Sequence, residues 1–511
     1  MKAARASLVV LCLSVLALAV SVDGAVRLPS VIGSNMVMQQ RFEAPIWGWA
    51  DPGRVVYVRA SWLWTQRQAT AGDNGRWQVV LPTPAAGGPY CITISDRDGA
   101  TVLDNILIGE VWVGSGQSNM QWTVSSSNNA QEEIANAKYP GIRLFHVTRK
   151  VAETAQDDCE GSWQECSPEA VGGFSAAAYF FGRELHNELN VPVGLIHTSW
   201  GGTPAEAWTR REILGANDDF KPILDRYQKV LDTWEQVQSD YQNRVEEWKK
   251  ASAQAKADGT RAPAYPGQPY GPGHPHSPAG LYNAMIAPLI PYGIRGAIWY
   301  QGESNAGRAY QYRTLFPAMI DNWRQDWKQG AFPFYFVQIA PYKGQTPEIR
   351  EAQLIALRNT VNTGMAVTMD IGDPEDIHPR NKQDVGKRLA LWALAKDYGR
   401  QDIVYSGPLY KGMKVEGDRI RLFFDYAAGG LAAKDGPLTY FTIAEAEGDF
   451  VPADAVIDGE TIVVSSEAVK KPAAVRYGWQ NSAEPNLFNK AGLPASPFRT
   501  DDRPGETYGK L

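Results

Sequence analysis

Four short stretches, far apart in the chain, carry the residue types that acyl transfer requires. Gly116-Gln117-Ser118-Asn119-Met120 sets a serine on a glycine-led turn, and Gly201-Gly202-Thr203 offers backbone N–H groups. Asp376-Ile377-His378-Pro379 sets a histidine beside a carboxylate, and Tyr300-Gln301-Gly302-Glu303-Ser304-Asn305 adds polar side chains directly after an apolar run. A serine hydroxyl attacks a carbonyl only when a base takes its proton and a third group orients that base. The charge developing on the carbonyl oxygen then needs N–H donors aimed at it. Ser118 is the candidate nucleophile, and the candidate donors are its own amide, the Gly202 amide and the Gln301 side chain. An ordinary turn uses the same residues as the Ser118 stretch. The reading therefore rests on four motifs in order rather than on any one.

Scarcity narrows the choice of base. The chain has six histidines: His146, His186, His197, His274, His276 and His378. His186 falls in a helical stretch, His146 in a strand-like run, and His274 and His276 in a proline-rich connector. His197 ends a strand beside the Gly201-Gly202 motif and is expected near the cleft. His378 has the best context, with Pro379 restricting the backbone and a carboxylate close by to hold the imidazole tautomer. Asp376, two residues earlier, and Glu375, three earlier, are both within reach, as is a backbone carbonyl. Asp376 is carried forward as the catalytic partner, and Gln117, Glu303 and Trp200 as substrate-binding residues.

These motifs follow strands. Ile108–Val113, Val193–Ile196, Ile294–Tyr300, Phe334–Ile339 and Met365–Met369 are apolar runs separated by helical stretches, the pattern of a parallel α/β sheet. Such sheets gather ligands at the carboxyl ends of their strands. Residues 25–105 read instead as short β runs broken by turns such as Asp73-Asn74-Gly75, which predicts an N-terminal β-sandwich. Leu224, Tyr227, Leu231, Trp234, Tyr241, Val245 and Trp248 recur at helical spacing. They predict one unusually long amphipathic helix, within an insertion at about 215–260 in an α/β domain of residues 106–400. A Pro/Gly-rich connector runs from Arg261 to Gly280, and residues 401–511 return to β texture.

Composition sets further bounds. At 511 residues the chain exceeds one ordinary domain. Lys2 and Arg5, the apolar run Leu8–Val22 and the small residues before Ala25 read as an export signal over residues 1–24, predicting a secreted or periplasmic protein. The net charge of −6 becomes −7 once that segment, with Lys2, Arg5 and Asp23, is removed. That sign argues against nucleic acid and anionic membrane surfaces as partners. The 17 Trp and 22 Tyr are core material first, yet flat rings also suit sugar faces. Of Cys91, Cys159 and Cys166, the last two could close a small loop under oxidising conditions, leaving Cys91 free or buried. Without paired Cys-x-x-Cys spacing a cysteine-based metal site is not expected, and no cofactor is expected.

At Val111–Met120, Gly194–Thr203, Leu281–Ile286 with Trp299–Asn305, Asp376–Lys382 and Pro485–Asn489 the chain resembles the sialate O-acetylesterase family of the SGNH hydrolases. The resemblance spans nearly the whole chain after residue 24. It implies a flavodoxin-like α/β core, no metal, and hydrolysis of acetyl esters on sugars. By position it makes Ser118 the nucleophile, His378 the base, and Gly202 and Gln301 oxyanion contributors. The superfamily commonly sets its acid three residues before the histidine, where this chain has Glu375. Asp376 fits this family's own Asp-Ile-His-Pro pattern. Related enzymes deacetylate xylan and other glycans, and a non-catalytic glycan-binding protein is the rival of another class.

Overall fold

The computed structural model describes residues 26–427 and 429–511; the export segment expected at residues 1–24 lies outside them. The core is a seven-strand run within a larger sheet. In chain order its strands are β1 (Ala100–Gly116), β2 (Tyr139–His146), β3 (Trp163–Cys166), β4 (Val193–Ser199), β5 (Gly296–Tyr300), β6 (Phe334–Gln338) and β7 (Thr363–Val367). Across the sheet they lie in the order β7-β6-β5-β1-β4-β2-β3, parallel throughout except for the edge strand β3. All five strands expected from the apolar runs are present, and β2 and β3 complete one side.

The strands are near-continuous apolar runs because layers cover both faces. Every residue of β4, β5 and β6 is buried, as is β1 from Leu107 to Gly116. Trp112, Trp299 and Trp323 are enclosed within this core. Each large apolar side chain so buried contributes about 2–3 kcal/mol. Two helix pairs pack together: α2 (Ala176–Leu189) with α7 (Lys382–Lys396), and α5 (Ala309–Trp327) with α6 (Glu348–Asn359). Strand β1 is the first laid down and has β4 on one side and β5 on the other. The chain thus departs in both directions from it, which makes its carboxyl end the switch point where open α/β sheets bind ligands.

Three details refine the sequence expectations. Strand β1 passes residue 105 without a break: Ala100–Ile108 pairs with Gly87–Ser95 of the N-terminal β region, and Glu110–Gly116 with β4. The expected single long helix is two, α3 (Lys221–Asp232) and α4 (Trp234–Ala257), parted at Thr233, whose hydroxyl donates back to the Lys229 carbonyl at 3.1 Å. Such back-bonding competes with regular helix geometry. Trp248 donates to the Pro263 carbonyl at 2.8 Å and packs on Tyr265, so the connector folds back over the helix. Finally, Cys159 and Cys166, whose pairing the sequence left open, are free thiols; both are buried, which raises their pKa to about 12. The C-terminal β region has a separate apolar core around Leu422, Ile443, Val464 and Tyr477. No described helix is long and apolar enough to cross a membrane.

Candidate active site

Ser118 owes its position to one glycine. Strand β1 ends at Gly116, whose φ is +140° and whose hypothetical Cβ would lie 2.2 Å from the Tyr300 carbonyl oxygen of β5. No side chain fits there, and the backbone conformation also favours glycine. Both neighbouring strands hold the turn: the Gln117 amide donates to the Tyr300 carbonyl at 3.0 Å and the Trp200 amide to the Gly116 carbonyl at 3.1 Å. Ser118 then opens the one-turn helix α1 (Ser118–Gln121), partly exposed above the sheet.

His378 arrives from the loop after β7. The Asp373 side chain accepts the Glu375 amide at 2.9 Å, closing a turn that presents Asp376. Asp376 Oδ1 accepts the His378 amide at 2.9 Å, and Asn381 caps the following helix α7. Fold closure sets His378 Nε2 2.9 Å from Ser118 Oγ, across 260 residues of sequence. Trp122 stacks on the imidazole, with ring centres 5.0 Å apart. Of the two carboxylates left open by the sequence, Asp376 faces the ring, with Oδ1 3.7 Å from Nδ1, beyond hydrogen-bond length. Glu375 points away and pairs with Lys343. Burial lowers the His378 pKa; Asp376 opposes that shift and Lys382 adds to it. At neutral pH the imidazole is therefore free to accept the serine proton.

A buried network beneath the site was not singled out in the sequence. Asn119 Nδ2 donates to Glu303 Oε1 at 2.6 Å and to the Ile377 carbonyl at 3.0 Å. Lys382 Nζ donates to Asn119 Oδ1 at 2.7 Å and to the Pro379 carbonyl at 2.6 Å. The carbonyls of both residues flanking His378, Ile377 and Pro379, are thereby tied to the residue after Ser118, the second through Lys382. Lys382 is fully buried, which brings its pKa down to about 7, and burial raises that of Glu303. The available signal was adjacency: Asn119 and Lys382 sit inside the serine and histidine motifs themselves.

The donor candidates divide. Among the described residues, neither the Ser118 amide nor the Gly202 amide donates to a protein acceptor. Gly202 has φ +76°, and Gly201 lies against Ser118, its amide bound to Gln121 Oε1 at 2.7 Å. Gln301 is fully buried and donates to the Thr203 carbonyl at 3.3 Å and to Asn305 Oδ1 at 2.6 Å. Both its amide hydrogens are engaged, so in this arrangement it braces the cleft wall and has none left for an oxyanion. Gln117 Oε1 accepts the Gly302 and Ser304 amides, and Glu303 is directed to Asn119 rather than outward. Trp200 is partly exposed at the cleft, under the Arg149 guanidinium. His197, expected near the cleft, is buried within the sheet and bound to Ser199. His276 lies beside Gly202 in a cavity of about 410 Å³, lined also by Glu206, Tyr270, Ser304 and Arg308.

The model of the carbohydrate esterase family described as sialic acid-specific acetylesterase matches residues 108–259 and 274–395, more than half of the chain. The chain belongs to that family. It is thus a carboxylic ester hydrolase. Among curated relatives, the rat sialate O-acetylesterase is 30% identical over 524 residues, covering 92% of this chain and 94% of the relative. The human sialate O-acetylesterase is 29% identical over 532 residues, covering 94% of each. A solved carbohydrate acetylesterase from Xanthomonas citri superposes with a TM-score of 0.79 at 34% identity, over 94% of this chain and all of that one. The two segments of the family match include Ser118, Gly202, Gln301 and His378, and the gap between them, 260–273, lies almost wholly in the Pro/Gly connector.

Proposed function

We propose that this esterase removes O-acetyl groups from sialic acid with Ser118 as nucleophile and His378 as general base. The observation carrying the reading is the 2.9 Å approach of His378 Nε2 to Ser118 Oγ at the switch point of the sheet. Ser118 Oγ attacks the acetyl carbonyl while His378 Nε2 takes its proton. The oxyanion forms toward the Ser118 and Gly202 amides, donors worth about 10²–10³ in rate apiece in such sites. Collapse expels the sugar hydroxyl, which recovers the proton from His378. Water then attacks the acetyl-serine while His378 takes one of its protons; collapse breaks the bond from the carbonyl carbon to Ser118 Oγ, Oγ recovers that proton from His378, and acetic acid leaves, ionising to acetate. Asp376 steadies the base, Trp200 is assigned to the sugar, and the cavity beside Gly202 offers it room. The basic and apolar start of the sequence supports export.

Replacing Ser118 by alanine tests the chemistry: acetate release from O-acetylated sialic acid and from a chromogenic acetyl ester should both vanish, and undiminished turnover refutes the assignment. A second reading, deacetylation of xylan or another glycan, is favoured by the similarity to the Xanthomonas carbohydrate acetylesterase. Parallel rates on acetylated xylan and O-acetylated sialic acid decide between them.

A further inference from the structure

The cavity beside Gly202 is built from two unlike walls. One continues the catalytic turn: Pro204 and Glu206 follow β4, and Ser304, whose amide donates to Gln117 Oε1 at 3.2 Å, follows β5. Gln117 precedes Ser118 in the chain, and a Cβ on Gly201 would lie 3.3 Å from that of Ser118. The other wall belongs to the insertion, with Ile223, Arg226 and Val230 on α3 and Tyr270 and His276 on the connector. That connector is pinned despite its Pro/Gly content. A Cβ on Gly271 would lie 2.0 Å from the Trp234 ring, so the chain runs flush against α4. The Gly271 carbonyl accepts the His274 amide at 3.0 Å and the Ser277 hydroxyl at 3.1 Å, and the Ala279 amide donates to the Glu206 carbonyl at 2.9 Å. Tyr270 packs on Tyr227 and His274, with ring centres 5.8 and 5.3 Å apart. Tyr270 and His276 are thus placed before any ligand arrives, which lowers the ordering cost of binding.

The charged groups of this cavity are already committed. Glu206 pairs with Arg308 at 2.5 Å and accepts from Asn305 at 2.9 Å, while Arg226 donates to the Leu511 carbonyl. What remains in the lining at neutral pH is uncharged: the Tyr270 ring, the Ser304 hydroxyl, the apolar Ile223 and Val230, and the His276 imidazole, whose pKa burial lowers against the opposing pull of Glu206. A flat ring, neutral hydrogen-bonding groups and an apolar corner answer the apolar faces and hydroxyl edges of a pyranose. The volume, about 410 Å³, is near the lower end of the ligand-pocket range of about 300–1,000 Å³ and suits one sugar ring rather than a chain. His276 Nε2 lies 3.9 Å from where a Gly202 Cβ would sit. A sugar whose acetyl carbonyl rests at the Gly202 amide therefore brings its neighbouring hydroxyls within reach of that imidazole. Tyr270 falls in 260–273, outside both segments of the family match, so the family pattern does not prescribe it.

We propose that Tyr270 and His276 determine which acetylated sugar is accepted: Tyr270 carries one face of the ring that bears the acetyl group, and His276 hydrogen-bonds a hydroxyl next to the scissile ester. The inference rests on the reading of the site as a carbohydrate O-acetylesterase. It adds the segment that selects the sugar, the connector of the insertion, to motifs that supply only the chemistry.

Steady-state kinetics on two substrates test it: an acetylated sugar and a chromogenic acetyl ester that carries no sugar. The sugar is whichever of O-acetylated sialic acid and acetylated xylotriose the unmodified protein hydrolyses faster. Selectivity is read as the kcat/KM for the sugar divided by that for the chromogenic ester. Tyr270→Ala and His276→Ala should each lower this ratio about 3–10-fold, chiefly through the KM of the sugar. Tyr270→Phe, which keeps the flat ring, and His276→Gln, which keeps a hydrogen-bonding group, should hold it within about twofold. Tyr270→Leu keeps apolar bulk without the ring and should behave as the alanine variant does. An unchanged or raised ratio in the alanine variants overturns the proposal. An equal loss on both substrates also overturns it, making the connector a brace for the cleft, and a full ratio in Tyr270→Leu removes the ring from the account. Failure of the esterase reading would show separately, as no acetate released from any of these substrates by the unmodified protein.

Discussion

Asp376 grips the main chain of His378 more closely than its ring: Oδ1 lies 2.9 Å from the amide nitrogen and 3.7 Å from Nδ1. Where a triad carboxylate is hydrogen-bonded to the imidazole, asparagine replacement costs about 10⁴ in kcat. Here the side-chain oxygen that asparagine retains can still accept the His378 amide. Asp376→Asn should therefore lower kcat by only about 10-fold, and Asp376→Ala by about 100-fold, since it also frees the loop. A loss near 10⁴ in the asparagine variant would show that the ring bond forms during turnover.

The pH profile has a definite direction. In the proposed mechanism His378 acts as a neutral base, and burial, its largest influence, lowers its pKa below the ordinary 6.5. Activity should rise with pH through a midpoint below 6.5 and hold above it. Asp376 raises that pKa and Lys382 lowers it. Asp376→Asn should thus move the acid limb of kcat/KM down and Lys382→Met should move it up. Shifts of the same sign in both variants would contradict the geometry.

Glu303 and Lys382 are joined through Asn119, and in the proposed mechanism they hold His378 against Ser118. Glu303→Gln keeps an acceptor for Asn119 and should stay within a few-fold of full activity, whereas Glu303→Ala should lose about 10–100-fold in kcat with KM nearly unchanged. A rise in KM alone would mark Glu303 as a substrate contact instead.

Lys382 also couples stability to pH. Its pKa falls from the ordinary 10.5 to about 7 in the folded chain. Between those values the unfolded chain holds a proton that the native state has released, so this group's contribution to stability rises with pH from about 7 and is least favourable below 7. Melting temperatures of the unmodified protein should therefore gain on those of Lys382→Met between pH 7 and pH 9. A constant difference would place Lys382 in a solvated setting.

Gly202 combines a left-handed backbone, φ +76°, with an amide that has no protein acceptor among the described residues, the donor that the proposed mechanism assigns to the oxyanion. Gly202→Ala should cost about 1 kcal/mol of stability and about 10–100-fold in kcat. Gln301→Ala should act chiefly on melting temperature, because its amide is spent on Thr203 and Asn305.

Much of the molecule was legible because its signals are local. Apolar runs announce strands that are buried on both faces, glycines announce a turn like that at Gly116, and the five expected strands appear with their motifs at the carboxyl ends. A histidine count of six made His378 stand out. The two-helix insertion was misread as one helix because the apolar spacing continues through Thr233 while the backbone does not.

What the chain order could not reveal was pairing through space. Residue types name a nucleophile and a base, but only the sheet order β7-β6-β5-β1-β4 brings the loop after β7 back over the end of β1. Hydrogen-bond commitments are likewise tertiary: Gln301, Glu303 and Glu375 are all plausible site residues by position, yet each is turned to another partner. The same holds for charge. Lys382 is an ordinary lysine in the sequence, and its burial beneath the site is what brings its pKa near neutrality. Sequence carries chemical capacity and local geometry, while desolvation and partnership exist only once distant segments share a low-dielectric interior.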